Sequence, residues 1–386
     1  MSVITDPGAV AALCKRLAQA EYITVDTEFM RERTYWSQLC LIQLAGPDEA
    51  AAIDPLAPGM DLSPLFELLQ NEKVLKVFHA ARQDLEIFHH MTGAVPHPVF
   101  DTQVAAMVCG FGDQVSYEIL ARKLANASID KDSRFTDWAR RPLTEKQVTY
   151  ALADVTHLRK AYEKLRAMLE QNGRAAWIEE EMAVLASPST YTTEAGEAWQ
   201  RIKIKGRKHR IMAVLRELAA WREETAQKRD VPRQRVVKDD ALAQIAIQQP
   251  ASAEDLERVR LVPHGFSRSD DGKAIVEAVR RGMAVPKEDL PSIEYGTGKP
   301  ENQAPAALID LLKVLVRARC EAEGIAPRLV ANMAEVERFA SDDADPDNPL
   351  RHGWRYELFG KDAERLKRGE LALAPVGNSL KLIEIG

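Results

Sequence analysis

The chain has 386 residues, which is long for one hydrophobic core, so two or three domains are expected. Its 46% hydrophobic and 28% charged residues are typical of a globular protein and exclude a largely disordered chain. No apolar run approaches the roughly 20 residues of a membrane span, and no secretory signal is visible, so no membrane partner is expected. The four cysteines are scattered without a C-x-x-C pair, which favours the reduced cytoplasm over a zinc or disulfide protein.

The net charge of −6 argues at first against a nucleic-acid partner, but the charges are unevenly distributed. Between Arg201 and Lys238 there are 13 Lys and Arg against 4 Asp and Glu, with the highest density before Arg210. Cations along a phosphate chain would release its counterions, so the run suits a polyanion. For a basic run alone, a solvated linker and helix face is the favoured explanation, and the run by itself decides nothing.

The first 175 or so residues alternate strand-like and helix-like segments. Apolar runs predict strands at 22–26, 36–44, 50–53 and 74–78. Amphipathic patterns predict helices at 62–69, 83–91, 102–108, 117–124 and 145–169. Asp101 is placed to cap the helix that starts at 102. Strands first, followed by strand–helix alternation, predict an α/β fold with a mixed sheet flanked by helices.

After a break rich in Ser, Thr, Pro and Gly at 186–196, the sequence predicts almost only helix, interrupted by a second break at 286–305. Apolar positions between 218 and 245 recur between 312 and 339 at an offset of 94 residues. This predicts a duplicated helical fold, although shared helical periodicity would account for part of the match. The expected organisation is a catalytic domain at 1–185, a linker at 186–207, a helical domain at 208–288, a linker at 289–304 and a second helical domain at 305–386.

Three short motifs in the first domain carry the candidate chemistry. Asp26 and Glu28 end the first strand, where alternation places them on one face, roughly 6–7 Å apart at Cα. Asp84 follows a strand near the start of a helix, and Tyr150 and Asp154 form an i, i+4 pair on one helical face. Each motif alone also fits a structural explanation: a solvated turn, a first-turn acid favoured by the helix dipole, or a surface pair.

Together, the four carboxylates would repel one another if they met in one pocket. A like-charged pair about 4 Å apart costs on the order of 1 kcal/mol in water and about 4 kcal/mol at an effective dielectric of 20. Such a cluster either takes up protons or holds cations, and a ligand set of oxygens favours Mg²⁺ or Mn²⁺. Two such ions about 3.5–4 Å apart suit phosphoryl displacement, because they clamp the attacking and leaving oxygens.

In order and separation, these motifs resemble the DEDDy 3′→5′ exonucleases and, among them, the ribonuclease D family. The similarity extends to residues 100–102 and 137–144, and the helical repeats resemble HRDC domains. The resemblance implies an RNase H-like exonuclease domain that uses two divalent metals, Mg²⁺ or Mn²⁺, without a small-molecule cofactor. The residues that it implies as metal ligands are Asp26, Glu28, Asp84 and Asp154. Tyr150 would orient the attacking water, since a free tyrosine with a pKa near 10 is a poor base at pH 7.

The same resemblance implies hydrolysis that releases nucleoside 5′-monophosphates from RNA 3′ ends, with precursor tRNA or other structured RNA as the expected substrate. A 3′→5′ DNA exonuclease is an alternative, because the carboxylates serve both and discrimination depends on contacts to the 2′-OH. A nucleic-acid-binding scaffold with a decayed active site is another. The helical domains are expected to bind nucleic acid, with a spacer or protein-docking role as the competing interpretation.

Several neighbouring side chains are weaker candidates for substrate contact. Packing is the better explanation of Trp138 and His79, and helix capping explains Asp101 as well as an outer-shell role at the metals does. The remaining candidates for contact with the RNA end or its phosphate are Gln43, Arg141, Arg31 and Arg33.

Overall fold

The computed structural model describes residues 3–129, 136–204, 208–291, 304–342, 344–377 and 379–385. The predicted break at 286–305 therefore lies largely outside the described residues. By their contacts, the described residues form two compact units that do not follow chain order. The first unit lies within Met1–Thr27, Leu41–Thr190 and Thr297–Gly386, and the second within Glu28–Cys40 and Tyr191–Gly296.

A five-stranded sheet with the order β3-β2-β1-β4-β5 is the frame of the catalytic region. Its strands are β1 (Tyr22–Met30), β2 (Gln38–Ala45), β3 (Ala50–Ile53), β4 (Leu75–Phe78) and β5 (Val99–Asp101). β4 runs parallel to β1 and β5, whereas β2 and β3 are antiparallel. The predicted mixed sheet is thus confirmed. The strand predicted at 22–26 continues to Met30, so Asp26 and Glu28 lie within it.

The helices of the catalytic region cover the sheet. They are α1 (Pro7–Leu17), α2 (Ser63–Gln70), α3 (Arg82–Thr92), α4 (Thr102–Val108), α5 (Tyr117–Leu120), α6 (Glu145–Gln171) and α7 (Glu179–Ala186). The helix predicted at 117–124 is α-helical only to Leu120 and continues as a π-helical turn at Ala121–Ala125. A capping box between Thr144 and Gln147 fixes the start of α6, the 27-residue helix that carries Tyr150 and Asp154.

The helical part of the second unit has its own apolar core, which includes Leu215, Leu242 and Ile275. Its helices are α8 (His209–Arg229), α9 (Arg233–Val236), α10 (Asp239–Gln248), α11 (Ala253–Glu257) and α12 (Asp270–Ala284). In the packing of α12 on α8, Gly282 leaves no room for a side chain, since a Cβ there would lie 2.5 Å from the Cα of Val214. This contact explains a glycine inside a helix, where it is otherwise unfavourable.

The C-terminal segment begins with helices that repeat this pattern: α13 (Ala306–Glu323), α14 (Pro327–Val330), α15 (Met333–Ser341), α16 (Gly353–Arg355) and α17 (Lys361–Lys367). α13 ends 94 residues after the end of α8. α14 begins 94 residues after the start of α9, and α15 begins 94 residues after the start of α10, in agreement with the predicted offset. The expectation of an almost wholly helical C-terminal half was wrong at its end. There the antiparallel strands β6 (Leu371–Val376) and β7 (Ser379–Glu384) form a hairpin.

This C-terminal segment shares one hydrophobic core with the catalytic region, in which Leu165 of α6 packs in the same cluster as Phe339 and Phe359. The Ala326 N–H donates to the carbonyl of Met107 at 3.0 Å. Arg355 forms ion pairs with the carboxylates of Glu180 and Glu181, and the rings of Trp177 and Trp354 stack at 4.7 Å. Residues 304–385 therefore stabilise the catalytic region itself. No helix in the described part of the chain is long and apolar enough to cross a membrane.

Candidate active site

Three of the predicted acids come together at the end of the sheet. Asp26 and Glu28 on β1 and Asp154 on α6 each offer a carboxylate oxygen, and these oxygens lie within 4.8 Å of one another. Asp154 is buried, whereas the two strand residues are partly exposed. Alternation along β1 puts its two acids on one face, and α6 crosses beside them. The group offers only oxygen donors, which suit a hard divalent cation such as Mg²⁺.

Asp84 lies next to this group but is not among the three residues whose oxygens meet within 4.8 Å. It sits in the first turn of α3, is 7% exposed, and accepts a hydrogen bond from the hydroxyl of Thr27. Thr27 is the strand residue between Asp26 and Glu28, so this bond ties α3 to the acidic segment of β1. The structure thus brings together three predicted acids, with the fourth held beside them.

Asp101 fixes the turn that leads to Asp84. Its carboxylate accepts hydrogen bonds from the backbone N–H groups of Ala80 at 3.0 Å, Ala81 at 2.8 Å and Gln103 at 2.7 Å. The bond from Gln103 is the predicted helix cap. The other two stabilise Ala80 in a left-handed conformation with φ of +57°, which is uncommon for a residue other than glycine. Sequence reasoning found the cap but missed the second contact, because it joins segments 20 residues apart.

Tyr150 lies one helical turn before Asp154, and its ring is 6.2 Å from that of Trp138, which is only 2% exposed. The packing interpretation of Trp138 is therefore supported. Arg141 donates to the Trp138 carbonyl at 2.7 Å and forms a two-pronged ion pair with Asp54 at 2.6 and 2.7 Å. Its guanidinium thus joins the loop that carries Trp138 to Asp54.

Tyr117 is a site residue that the sequence did not reveal. Its hydroxyl donates to the main-chain carbonyl of Asp154. Burial raises the pKa of Tyr117, and the neighbouring Asp154, Asp26 and Tyr150 raise it further, so the phenol remains a neutral donor. A tyrosine early in a short helix gives no local sign of such a contact, because its partner lies 37 positions away.

The acidic group is poorly stabilised in its ionised form. Burial raises the pKa of Asp26 to about 7, an effect partly offset by a hydrogen bond from the Thr27 backbone. The pKa of Asp84 lies well above its usual range because the carboxyl is buried and the charge of Asp26 is close. A divalent cation would compensate this repulsion. The donor set and its electrostatics therefore fit a metal ion.

Of the remaining candidates for substrate contact, two are packed in the interior and two are exposed. His79 forms a 3.0 Å hydrogen bond with the Thr102 hydroxyl, and its ring lies 5.4 Å from that of Tyr117. Burial lowers the pKa of His79, so it is a neutral, packed side chain. Gln43 is fully buried and therefore not exposed to a substrate. Arg31 and Arg33 are exposed.

Part of the basic run is structural. Buried Arg222 pairs with Asp239 at 2.6 Å, and Arg210 donates to three carbonyls at the end of α12, including that of Val285 at 2.6 Å. Arg201, Lys203, Lys208 and Lys238 are exposed. Residues 205–207, in the densest stretch, lie outside the described part of the chain.

Comparisons with known proteins show the family of the chain. Residues 1–170 match the family model described as a 3′-5′ exonuclease, and residues 212–279 match the HRDC domain. Ribonuclease D of Nitrobacter hamburgensis is 51% identical over 97% of both chains, and that of Jannaschia sp. is 48% identical over 99% of each. The chain belongs to the ribonuclease D family.

The crystal structure of Escherichia coli RNase D, described as an exoribonuclease involved in structured RNA processing, gives a TM-score of 0.81 at 29% identity. The match covers 95% of this chain and 98% of that one. The present ribonuclease D family member is therefore a 3′→5′ exoribonuclease with an α/β catalytic domain and a helical HRDC domain. Its exonuclease domain uses divalent metal, and its substrate is RNA.

Proposed function

We propose that Asp26, Glu28, Asp84 and Asp154 hold two Mg²⁺ or Mn²⁺ ions and that hydrolysis releases nucleoside 5′-monophosphates from the RNA 3′ end. The observation that carries this proposal is the meeting of three carboxylates from β1 and α6 within 4.8 Å. When bound, such ions supply positive charge that stabilises the attacking and leaving oxygens in phosphoryl displacement. Asp84, tied to β1 through Thr27, would complete the ligand set.

Tyr150 would orient the attacking water. Its position on α6 puts its side chain on the same helical face as Asp154, so a water held by the tyrosine lies beside the acidic group. Trp138 packs near the ring and limits its movement. Positioning of this kind lowers the barrier because the nucleophile no longer has to find its orientation.

Tyr150→Phe should lower kcat about 30-fold, the effect of losing one hydrogen bond to a reacting group, while the half-saturating metal concentration stays unchanged. The ring, and hence its packing against Trp138, is retained. Tyr162→Phe removes a hydroxyl from the same helix, where its partner is Arg166, and serves as the control. Single-turnover release of mononucleotides from 3′-labelled RNA measures the rate. Equal rates for Tyr150→Phe and Tyr162→Phe would contradict the role of the hydroxyl.

We further propose structured RNA 3′ ends, in particular those of precursor tRNA, as the natural substrate. The description of the Escherichia coli relative supports this choice. The exposed basic side chains between 201 and 238 would hold the RNA backbone, which predicts salt-sensitive binding. We retain the proposed domains 1–185, 208–288 and 305–386, with the last two HRDC-like, joined by linkers at 186–207 and 289–304. Four free cysteines agree with a cytoplasmic location, which we also propose.

Digestion of a 3′-extended tRNA beside a DNA of matched sequence tests the substrate. We expect Mg²⁺-dependent trimming of the tRNA to a discrete end, at least about tenfold faster than digestion of DNA, a ratio that one lost 2′-OH hydrogen bond would give. EDTA should stop the reaction. Faster digestion of DNA would favour the DNA exonuclease, and RNA binding without any release of mononucleotides would favour a scaffold.

A further inference from the structure

The polypeptide that leaves β1 is anchored in the helical unit. Glu28–Cys40 belongs to the same compact unit as Tyr191–Gly296, so the candidate metal ligand Glu28 and the HRDC helices are parts of one unit. We propose that five side chains of this unit position Glu28 and thereby set metal affinity and turnover, an inference that rests on the proposed function. We call them the Tyr35 clasp: Tyr35, Glu223, Gln227, Asp230 and Arg233.

The phenol of Tyr35 is the centre of the clasp. Its hydroxyl donates to the carboxylate of Glu223 and accepts hydrogen bonds from Arg233 Nη2 at 2.7 Å and from Gln227 Nε2 at 3.2 Å. The guanidinium carbon of Arg233 lies 4.7 Å from the centre of the Tyr35 ring. Tyr35 is 6% exposed and Glu223 only 1%. The phenol, the carboxylate and the two nitrogen donors thus hold one another in place.

The backbone of the same loop is also fixed. Oδ1 of Asp230 accepts the N–H groups of both Tyr35 and Trp36, each at 3.0 Å. Asp230 follows the end of α8 in a left-handed conformation with φ of +49°, which aspartate tolerates better than most residues. Tyr35 is thus held through its main chain by Asp230 and through its side chain by Arg233 and Glu223.

On the side of β4, the acidic end of β1 lies beyond the strand pairing, whereas β2 is its neighbour on the other side. In the described part of the sheet, β1 pairs with β4 at Tyr22–Thr24, and the strand then continues past this ladder to Met30. Only residues 31–34 separate the strand end from the clasp. A metal ligand must be held within about 0.5 Å of its productive position. Movement of this short connection would displace Glu28 from that position. The HRDC unit would therefore contribute to catalysis as well as to RNA binding.

Tyr35→Phe tests the side-chain half of the clasp, since it removes the hydroxyl and keeps the ring beneath Arg233. We expect the half-saturating Mg²⁺ concentration to rise about fivefold, the scale of one hydrogen bond, and kcat on a diribonucleotide to fall by a similar factor. The dissociation constant for a long RNA, measured without divalent metal, should not change. Partial unfolding would also raise the half-saturating Mg²⁺ concentration, because the metal would then have to drive folding. The Tm of Tyr35→Phe without metal is therefore measured alongside and should lie well above the assay temperature.

Substitution of Asp230 independently tests the part of the clasp that binds the main chain of Tyr35 and Trp36. Asp230→Ala should raise the half-saturating Mg²⁺ concentration as Tyr35→Phe does, and Asp230→Asn should restore it, because the amide oxygen still accepts both N–H groups. Asp271→Asn is the matched control: it breaks the 2.6 Å ion pair between Asp271 and Arg229 at the same end of α8 without touching the clasp. Its metal dependence should equal that of the wild type.

The outcomes separate the clasp from the proposed function. A wild-type protein without metal-dependent release of mononucleotides would defeat the proposed function. An active wild type with an unchanged Mg²⁺ requirement in both Tyr35→Phe and Asp230→Ala would overturn the clasp alone. Weaker binding of long RNA with unaltered turnover of the diribonucleotide would also overturn it, because the loop would then serve RNA binding and not the metal site.

Discussion

Asp26→Asn is expected to lower kcat at least about 1000-fold at saturating Mg²⁺. Asparagine keeps the size of the side chain but removes the charge from a group whose three carboxylates meet within 4.8 Å. Metal-based stabilisation of a phosphoryl transition state is worth several kcal/mol, and about 4 kcal/mol corresponds to a factor of 1000. The rate of mononucleotide release from a 3′-labelled RNA measures the loss.

The same substitution should not destabilise the metal-free protein at neutral pH. Burial raises the pKa of Asp26 from 3.8 to about 7, so the fold favours the protonated carboxyl. The stability gained from holding this proton is present at low pH and is lost as the pH rises through about 7. Above that pH the neutral asparagine avoids the cost of an ionised carboxylate in a poorly solvated position. At pH 8 without metal, the Tm of Asp26→Asn should therefore equal or exceed that of the wild type.

Asp61→Asn is the matched control, because Asp61 is an exposed carboxylate just before α2 in the same unit. It should retain wild-type turnover. If Asp26→Asn also retained it, Asp26 would not be a metal ligand. A large fall in the Tm of Asp26→Asn would instead show that the carboxylate is needed for folding.

Local patterns were sufficient to predict the elements that carry the site. The apolar run of β1, the i, i+4 pair on α6 and the acid at the start of α3 each occupy a short stretch of sequence whose period fixes the side-chain direction. The sequence also predicted a mixed sheet, because strands come first and then alternate with helices, but it did not give the order of the strands. The sequence did not show that Asp84 lies outside the group of three oxygens, since the position of Asp84 depends on its hydrogen bond with the hydroxyl of Thr27.

The contacts that sequence reasoning missed join distant positions. Tyr35 and Glu223 lie 188 residues apart, and neither has a neighbour that signals the bond. Helical periodicity likewise gives no sign that Phe339 packs in the same core as Leu165. Because of this shared core, removing residues 200–386 would unfold part of the catalytic region, so a deletion does not test RNA binding by the helical domains. Substitutions in the clasp separate the two roles.

Two missed elements did carry local signals. α1 has Asp6 as its N-cap, Pro7 in its first turn and buried apolar residues at 10, 13, 14 and 17, a helical spacing. The hairpin of β6 and β7 is weaker as a signal: apolar side chains are common on both strands, and Gly377, with φ of +61°, lies at the turn. A short apolar run of this kind is also compatible with a helix, so only the length of the run and the residues at the turn distinguish a strand from a helix here.

Metal binding should depend steeply on pH below about 7. Asp26, with a pKa raised to about 7, and Asp84, whose pKa is also raised, hold protons in the metal-free site that a cation must displace. Each displaced proton makes the apparent affinity rise about tenfold per pH unit below the pKa. With a pKa of about 7 for Asp26, we therefore expect the dissociation constant for Mn²⁺ to fall about eightfold between pH 5.5 and 6.5. Asp84 should steepen the dependence in the same direction, because its raised pKa means that it also loses a proton to the metal.

Titration of the metal-free enzyme with Mn²⁺, monitored by calorimetry or paramagnetic relaxation, measures this dependence without reference to turnover. The slope should flatten above the pKa values, since ionised carboxylates leave no proton to displace. Asp84→Asn should lower the slope at acid pH toward one proton, as well as weaken binding, because it removes one competing group and its charge. A dissociation constant independent of pH between 5.5 and 7.5 would mean that the ion binds away from these buried carboxyls, and the proposed ligand set would then be wrong.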